Sequence, residues 1–270
     1  VTGLLIAGRT VPVPGLTVIP PAPVGPSWCS LGPEDYRMRR TNWVRQVILH
    51  TTKGDWPQPI LPGAGAPGRA QAVADFWRGD PLHSAAHLVV DLDGTVACLC
   101  DLAYVAAYHA EMSNDWSVGI EMYQLAGGGV HEATLDATVK LVSALCDALG
   151  IPEQMPDRYH GEPLMRMEMG CGPQRRNLGG PDCVGVFGHR NNTGNRGRGD
   201  PGDEIFARLA RAGFEQFDYD NKLDLQRGAD RQSYLVGHGA KIDIDGKVGP
   251  VSLAAARRQG FKRWREVPAT

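Results

Sequence analysis

What this chain lacks narrows it before anything in it is positively read. In its 270 residues no apolar run approaches the ~18 residues that a helix needs to cross a bilayer, so no membrane span is expected. Lysine and arginine form no long block and the formal net charge is -2, which leaves out the electrostatic footprint of a nucleic-acid-binding surface. The six cysteines, at 29, 98, 100, 146, 171 and 183, contain no CxxC pair, so a structural Cys-rich zinc site is not expected and buried thiols are. Cys171 and Cys183 bracket a Gly- and Arg-containing loop; they either stay free or bridge in an oxidising compartment. The opening stretch VTGLLIAGRTVPVPGLTVIPPAPVGP is apolar but has no cationic start and is broken repeatedly by proline. It reads as a lead in extended and polyproline-like conformation, not as an export signal.

What is present suits one well-packed domain of about 150–200 residues with something smaller attached. The most informative stretch is 184–202, VGVFGHRNNTGNRGRGDPG. VGVF reads as a short buried strand, which puts His189 at its C-terminal end. NNTGNRGRG has the Asn and Gly content of a loop that turns back on itself. Asp200-Pro201-Gly202 then looks like a helix start, with Asp200 as N-cap, before DEIFARLARAGF. His189 and Asp200 are thus two metal-grade ligands at the ends of one loop, and one more histidine would complete a catalytic zinc site. The alternative open at this point is a core or surface histidine and a simple cap.

Trp43 to His50 reads as a strand whose VIL run suits a central position, leaving His50 at the rim of a sheet as a site residue or a structural histidine. Residues 69–79 predict a short helix burying Val73, Phe76 and Trp77, and AHLVVDLDGTVACLC predicts a hairpin turning through Asp93-Gly94. Cys98 and Cys100 lie on its core side. His109 falls in a loop. Glu121 lies in the otherwise apolar strand SVGIEMY, where a carboxylate needs a hydrogen bond, a metal or a wet rim. It is either the general base or an outward-facing residue of an edge strand. Leu135, Val139, Val142, Cys146 and Leu149 predict a helix over 134–149 that Gly150 stops. Residues 152–181 read as a long loop, and the last ~45 residues as a small helical appendage with too little chain for a sizeable core.

VILHTTKG, the hairpin SAAHLVVDLDGTV, AYHAEMSNDWSVGIE, and GHR followed by GDPG, in that order, resemble the type 2 N-acetylmuramoyl-L-alanine amidases over roughly residues 40–213. That family comprises zinc hydrolases of bacterial cell-wall recycling, phage lysins and the animal peptidoglycan recognition proteins. The resemblance implies an α/β fold, a mixed central β-sheet flanked by helices. It implies zinc held by His50, His189 and Asp200, with Glu121 as the catalytic carboxylate; where other members use a tyrosine, this chain has Ala86. Arg198 stands at the place of an assisting lysine, where arginine can steady an oxyanion but not readily share a proton. His109 matches the family's His-Ala pair in the substrate groove, and His87 is assigned to substrate binding beside it. The C-terminal IDGKVGPVSLAAARRQ resembles part of a peptidoglycan-binding repeat.

The expected organisation is a lead over 1–39, a zinc amidase domain over 40–216 and a helical peptidoglycan-binding-like module over 217–270. The expected partner is peptidoglycan or muropeptides and the expected state a monomer. The expected setting is a phage or prophage lysin, made in the cytoplasm and acting on the cell wall.

Overall fold

The computed structural model describes residues 2–32, 35–39, 43–52, 68–80, 82–124, 129–156, 158–159, 162–163, 184–192, 200–217, 222–245, 248 and 250–269. In chain order the elements are β1 (Leu4–Ile6), β2 (Arg9–Val11), β3 (Val18–Ile19), β4 (Tyr36–Arg39), β5 (Gln46–Thr51), α1 (Gly68–Gly79), β6 (Leu88–Val90), β7 (Val96–Cys98) and β8 (Val105–Ala107). A 3-10 turn over Glu111–Trp116 leads into β9 (Ser117–Met122), followed by α2 (Glu132–Leu149), β10 (Gln154–Pro156), β11 (Arg158–Tyr159), β12 (Glu162–Pro163), β13 (Gly185–Gly188) and α3 (His189–Asn192). The chain closes with α4 (Asp203–Arg211), β14 (Glu215–Phe217), α5 (Lys222–Gly237) and α6 (Pro250–Arg258). Among the described residues, no helix is long and apolar enough to cross a membrane.

The predicted mixed sheet with flanking helices is present. Six strands run in the order β13-β5-β9-β6-β7-β3; β13, β5, β9 and β6 are parallel neighbours, and β6 and β7 form the expected antiparallel hairpin. Every residue of β5 is buried, as its apolar run requires of a strand covered on both faces. Strand alternation sorts these residues. Val47 and Leu49 of β5, Val118, Ile120 and Met122 of β9, and Leu88 and Val90 of β6 share a core with α2 and α4. The opposite face is divided. Val89 and Ala97 pack with Ala70, Val73, Ala74 and Trp77 of α1, while Gln46, Ile48 and His50 stand in register with Ser117, Gly119 and Glu121. That second group builds the site.

Several expectations change. The strand expected from Trp43 is β5 and starts at Gln46: Trp43 stays exposed, with the Arg45 guanidinium 4.0 Å above its ring. Helix α1 buries Val73 and Trp77, but Phe76 is 48% exposed, because the buried stripe follows i, i+3, i+4, i+7 from Ala70 and Phe76 falls beside it. In the first turn of α1 the Asp91 carboxylate, from the hairpin turn, accepts from the amides of Arg69 (3.2 Å) and Ala70 (3.0 Å). Helix α2 ends where predicted, on Gly150 in left-handed geometry (φ 69) with its amide donating to the Cys146 carbonyl. The lead is more built than a polyproline wrap. Its β1–β2 hairpin is held by Asp101, which accepts from the amides of Ala7 and Gly8 (3.0 and 2.7 Å), and β3 becomes an edge strand of the sheet.

The expected loop over 152–181 contains β10, paired in parallel with β14, and the small β11–β12 hairpin. Strands of two or three residues carry no readable periodicity. Residues 164–183 lie outside the described residues, and with them Cys171 and Cys183; Cys29, Cys98, Cys100 and Cys146 are buried free thiols. The C-terminal helices have an apolar cluster of their own, with Leu235, Val248, Leu253, Ala256 and Trp264. Arg231 of α5 donates to both carboxylate oxygens of Glu215 in β14 (2.8 and 2.9 Å), and Arg257 of α6 reaches the Asp147 carboxylate at 3.2 Å.

Candidate metal centre

Three separate elements deliver one ligand group each. His50 is the fifth residue of β5, with its ring on the site face. His189 follows directly on β13, the parallel neighbour of β5, whose last residue, Gly188, pairs with Leu49, so the two histidines emerge side by side at the same rim. Asp200 precedes α4. The His50 and His189 Nδ1 atoms are 2.8 Å apart, and the His189 Nδ1 lies 3.2 Å from Asp200 Oδ2. The ligand atoms of the three residues all fall within 4.8 Å of one another. The residues are 4%, 5% and 3% exposed, respectively. Among the described residues no other group of three His, Cys, Asp or Glu side chains converges in this way.

Asp200 is not a helix cap. Helix α4 begins at Asp203 with Gly202 as its N-cap residue and no side-chain cap. The Asp200 carboxylate instead points to the sheet rim: Oδ1 accepts from the amide of Thr51, next to His50, at 3.0 Å, which leaves Oδ2 facing His189. Its carbonyl accepts from the Arg190 amide at 2.8 Å, which ties Asp200 to the residue next to His189. Close packing at Gly188 supports this corner, since a Cβ there would come within 2.8 Å of Pro201 and 3.1 Å of Phe206. Helix α4 is in turn fixed to α2 by Arg208, which bonds to Glu132 and, at 2.5 Å, to Asp136. These carboxylates raise the guanidinium pKa above its ordinary value, chiefly through the Glu132 hydrogen bond.

Two imidazole nitrogens and one carboxylate, buried and convergent, are a donor set that suits zinc with a fourth position left for water. Glu121 is opposite His50 in the β5–β9 register and so lies on the same face of the sheet. Strand β9 runs between β5 and β6, which removes the edge-strand reading of Glu121. The residue is partly exposed while its strand neighbours are buried, as a carboxylate at a wet rim should be. Arg198 lies outside the described residues.

His109 and His87 do not occupy equivalent positions. The His109 ring lies over Gly119, where an added Cβ would come within 2.6 Å of Nδ1, so the strand carries no side chain at that point. Its Nδ1 is 3.0 Å from His50 Nε2, and its Nε2 is 3.0 Å from Ser117 Oγ. His87 is 0% exposed. Its Nδ1 accepts from the Gly119 amide at 2.9 Å, and its Nε2 meets the Val105 carbonyl at 3.0 Å. The ring is wholly enclosed, with both nitrogens engaged by main chain, and so braces β9 against β8. Sequence reasoning passed over Ser117, Gly119 and Thr51. The period-two alternation of SVGIE did place Ser117 and Gly119 on the Glu121 face, but nothing in it named the ring that fills the space.

Comparison with solved structures finds AmpD, at 17% identity and TM-score 0.41, covering 76% of this chain and 98% of that one. The Ph2119 endolysin from a Thermus scotoductus bacteriophage is 20% identical, with TM-score 0.39 and coverage of 67% and 90%. Peptidoglycan recognition protein-LE, solved in complex with tracheal cytotoxin, is 14% identical, with TM-score 0.43 and coverage of 72% and 94%. Comparison with curated proteins returns no match. The family match is on sequence and is extensive: residues 39–203, well over half of the chain and enclosing His50, Glu121, His189 and Asp200, fit the family described as N-acetylmuramoyl-L-alanine amidase, and the chain belongs to that family.

Proposed function

We propose that this chain is a zinc-dependent N-acetylmuramoyl-L-alanine amidase, hydrolysing the amide between the lactyl group of N-acetylmuramic acid and L-alanine of the stem peptide. The observation that carries the reading is the convergence of His50, His189 and Asp200 at a rim where Glu121 stands in register with His50. When bound there, zinc lowers the pKa of water to about 7 and polarises a carbonyl. Glu121 takes one proton from the attacking water as general base. The oxygen adds to the lactyl carbonyl carbon, the C–N bond breaks, and Glu121 passes its proton to the leaving nitrogen. The products are the muramic acid carboxylate and a stem peptide with a free alanine amine. Arg198, two residues before Asp200, is the proposed second donor to the developing oxyanion.

The division into a lead, a catalytic domain over 40–216 and a peptidoglycan-binding module over 217–270 belongs to the same proposal, as does a lysin setting. Mass spectrometry of purified peptidoglycan digested by zinc-loaded wild type, zinc-stripped protein and Glu121→Ala tests the chemistry. Stem peptides beginning at L-alanine, released by the loaded wild type alone, are expected. Wall binding with no fragment released would replace the reaction with recognition, and cleavage at another bond would replace the substrate. Binding of whole walls by the chain with and without residues 217–270 tests the module.

A further inference from the structure

We infer that His109 and Ser117 are positioning residues that select the metal-binding tautomer of His50. The inference rests on the proposed role of His50 Nδ1 as a zinc ligand. A neutral imidazole carries one proton, and only the ring protonated on Nε2 offers an Nδ1 lone pair; the hydrogen bond at the other nitrogen decides between the two.

The decision can be followed from the sheet outward. Ser117 is fully buried and its hydroxyl donates to the Ser113 carbonyl at 2.6 Å. A hydroxyl has one proton to donate, so at its 3.0 Å contact with His109 Nε2 it is the acceptor, and His109 carries its proton on Nε2. In the neutral ring Nδ1 is then an acceptor. It receives a hydrogen bond from His50 Nε2–H at 3.0 Å, and this leaves the His50 Nδ1 lone pair facing His189 and Asp200. The relay runs from a main-chain carbonyl, through one hydroxyl and one ring, to the ligand atom.

Three features of the fold make the relay rigid. Ser117, Gly119 and the strand position opposite His50 lie on one face of β9, so Ser117 and His50 flank the space above Gly119 in which the His109 ring sits. Asn114 Oδ1 accepts from the amides of His109 (3.0 Å) and Ala110 (2.7 Å), holding the backbone from which that ring projects. The His87 ring packs edge-on against His109 with centroids 5.2 Å apart. His109 is thereby assigned to the support of the metal ligand, in place of the substrate groove.

The test uses the full chain with 15N-labelled histidine. In the metal-free protein, long-range 1H–15N spectra read each tautomer directly, and competition with a chromophoric chelator reads zinc affinity. Wild type should hold both His50 and His109 as Nε2–H tautomers. His109→Leu should mix the His50 tautomers and weaken zinc binding about 10–100-fold. His109→Asn keeps an acceptor close to the place of Nδ1 and should recover most of the loss, which a merely space-filling role would not predict. Ser117→Ala should release the His109 tautomer with a smaller loss of affinity, and it decides the matter if His109→Leu does not fold. His50 protonated on Nδ1 in the metal-free wild type, or a His109→Leu affinity within twofold of wild type, would overturn the inference. Wild-type tautomers as expected in a chain that binds no zinc would support the relay and overturn the proposed metal role instead.

Discussion

His50 and Glu121 stand opposite each other on adjacent parallel strands, so the proposed ligand and the proposed base reach the same rim from the same face of one sheet. The two roles are nevertheless separable. Glu121→Gln should lower kcat about 10²–10⁴-fold while leaving zinc affinity unchanged, as measured by turnover of soluble muropeptides and by chelator competition. Loss of zinc along with activity would make Glu121 a ligand.

The two oxygens of Asp200 have different tasks, one bonded to the Thr51 amide and one facing His189. Asp200→Asn keeps an acceptor for the amide but loses the charge, so zinc affinity should fall while urea unfolding of the metal-free protein changes little. Asp200→Ala also strands a buried N–H, and should cost about 1–3 kcal/mol of metal-free stability. Equal stability of the two variants would remove the structural task.

At Gly119 a methyl group would meet the His109 ring at 2.6 Å from Nδ1 and 2.7 Å from Cγ. Gly119→Ala should therefore destabilise the chain by about 1–3 kcal/mol through overpacking and weaken zinc binding, although residue 119 touches no metal. A variant with wild-type urea midpoint and wild-type zinc affinity would show that the ring is free to move aside.

Arg231 is 8% exposed and meets Glu215 with two hydrogen bonds, linking α5 to β14. Arg231→Ala leaves the carboxylate without its cation and should lower stability by about 2–3 kcal/mol, with faster proteolytic release of the C-terminal helices. A proteolysis pattern unchanged from wild type would mean that the apolar contacts suffice.

Burial pushes the Cys29 thiol up to about 12 and the Cys98 thiol up to about 11, from an ordinary 9.0. The folded chain thus keeps protons that the unfolded chain gives up. The stability contributed is fully present below pH 9 and is lost as pH rises from there through 11 and 12. Urea midpoints should fall between pH 8 and pH 10, less so in Cys29→Ala, and native thiols should resist iodoacetamide at pH 8.

Local pattern was enough for much of this molecule. The VIL run named a central strand, the 3- and 4-residue spacing from Leu135 named α2, Gly150 stopped it, and Asp93-Gly94 turned the hairpin, because helix and strand periods and turn geometry are written within a few residues. The residue types of His50, Glu121, His189 and Asp200 were equally legible as chemistry. Only the tertiary structure decided how they are used. Asp200 reads as a cap until Thr51 is seen bonded to it, and Glu121 reads as an edge residue until β9 is found between β5 and β6. His87 and His109 look alike in sequence, yet one is closed off by main-chain groups and the other meets the His50 ring. Strand order and register bring together residues more than a hundred positions apart, and no local period records which neighbour will lie across a sheet or above a glycine.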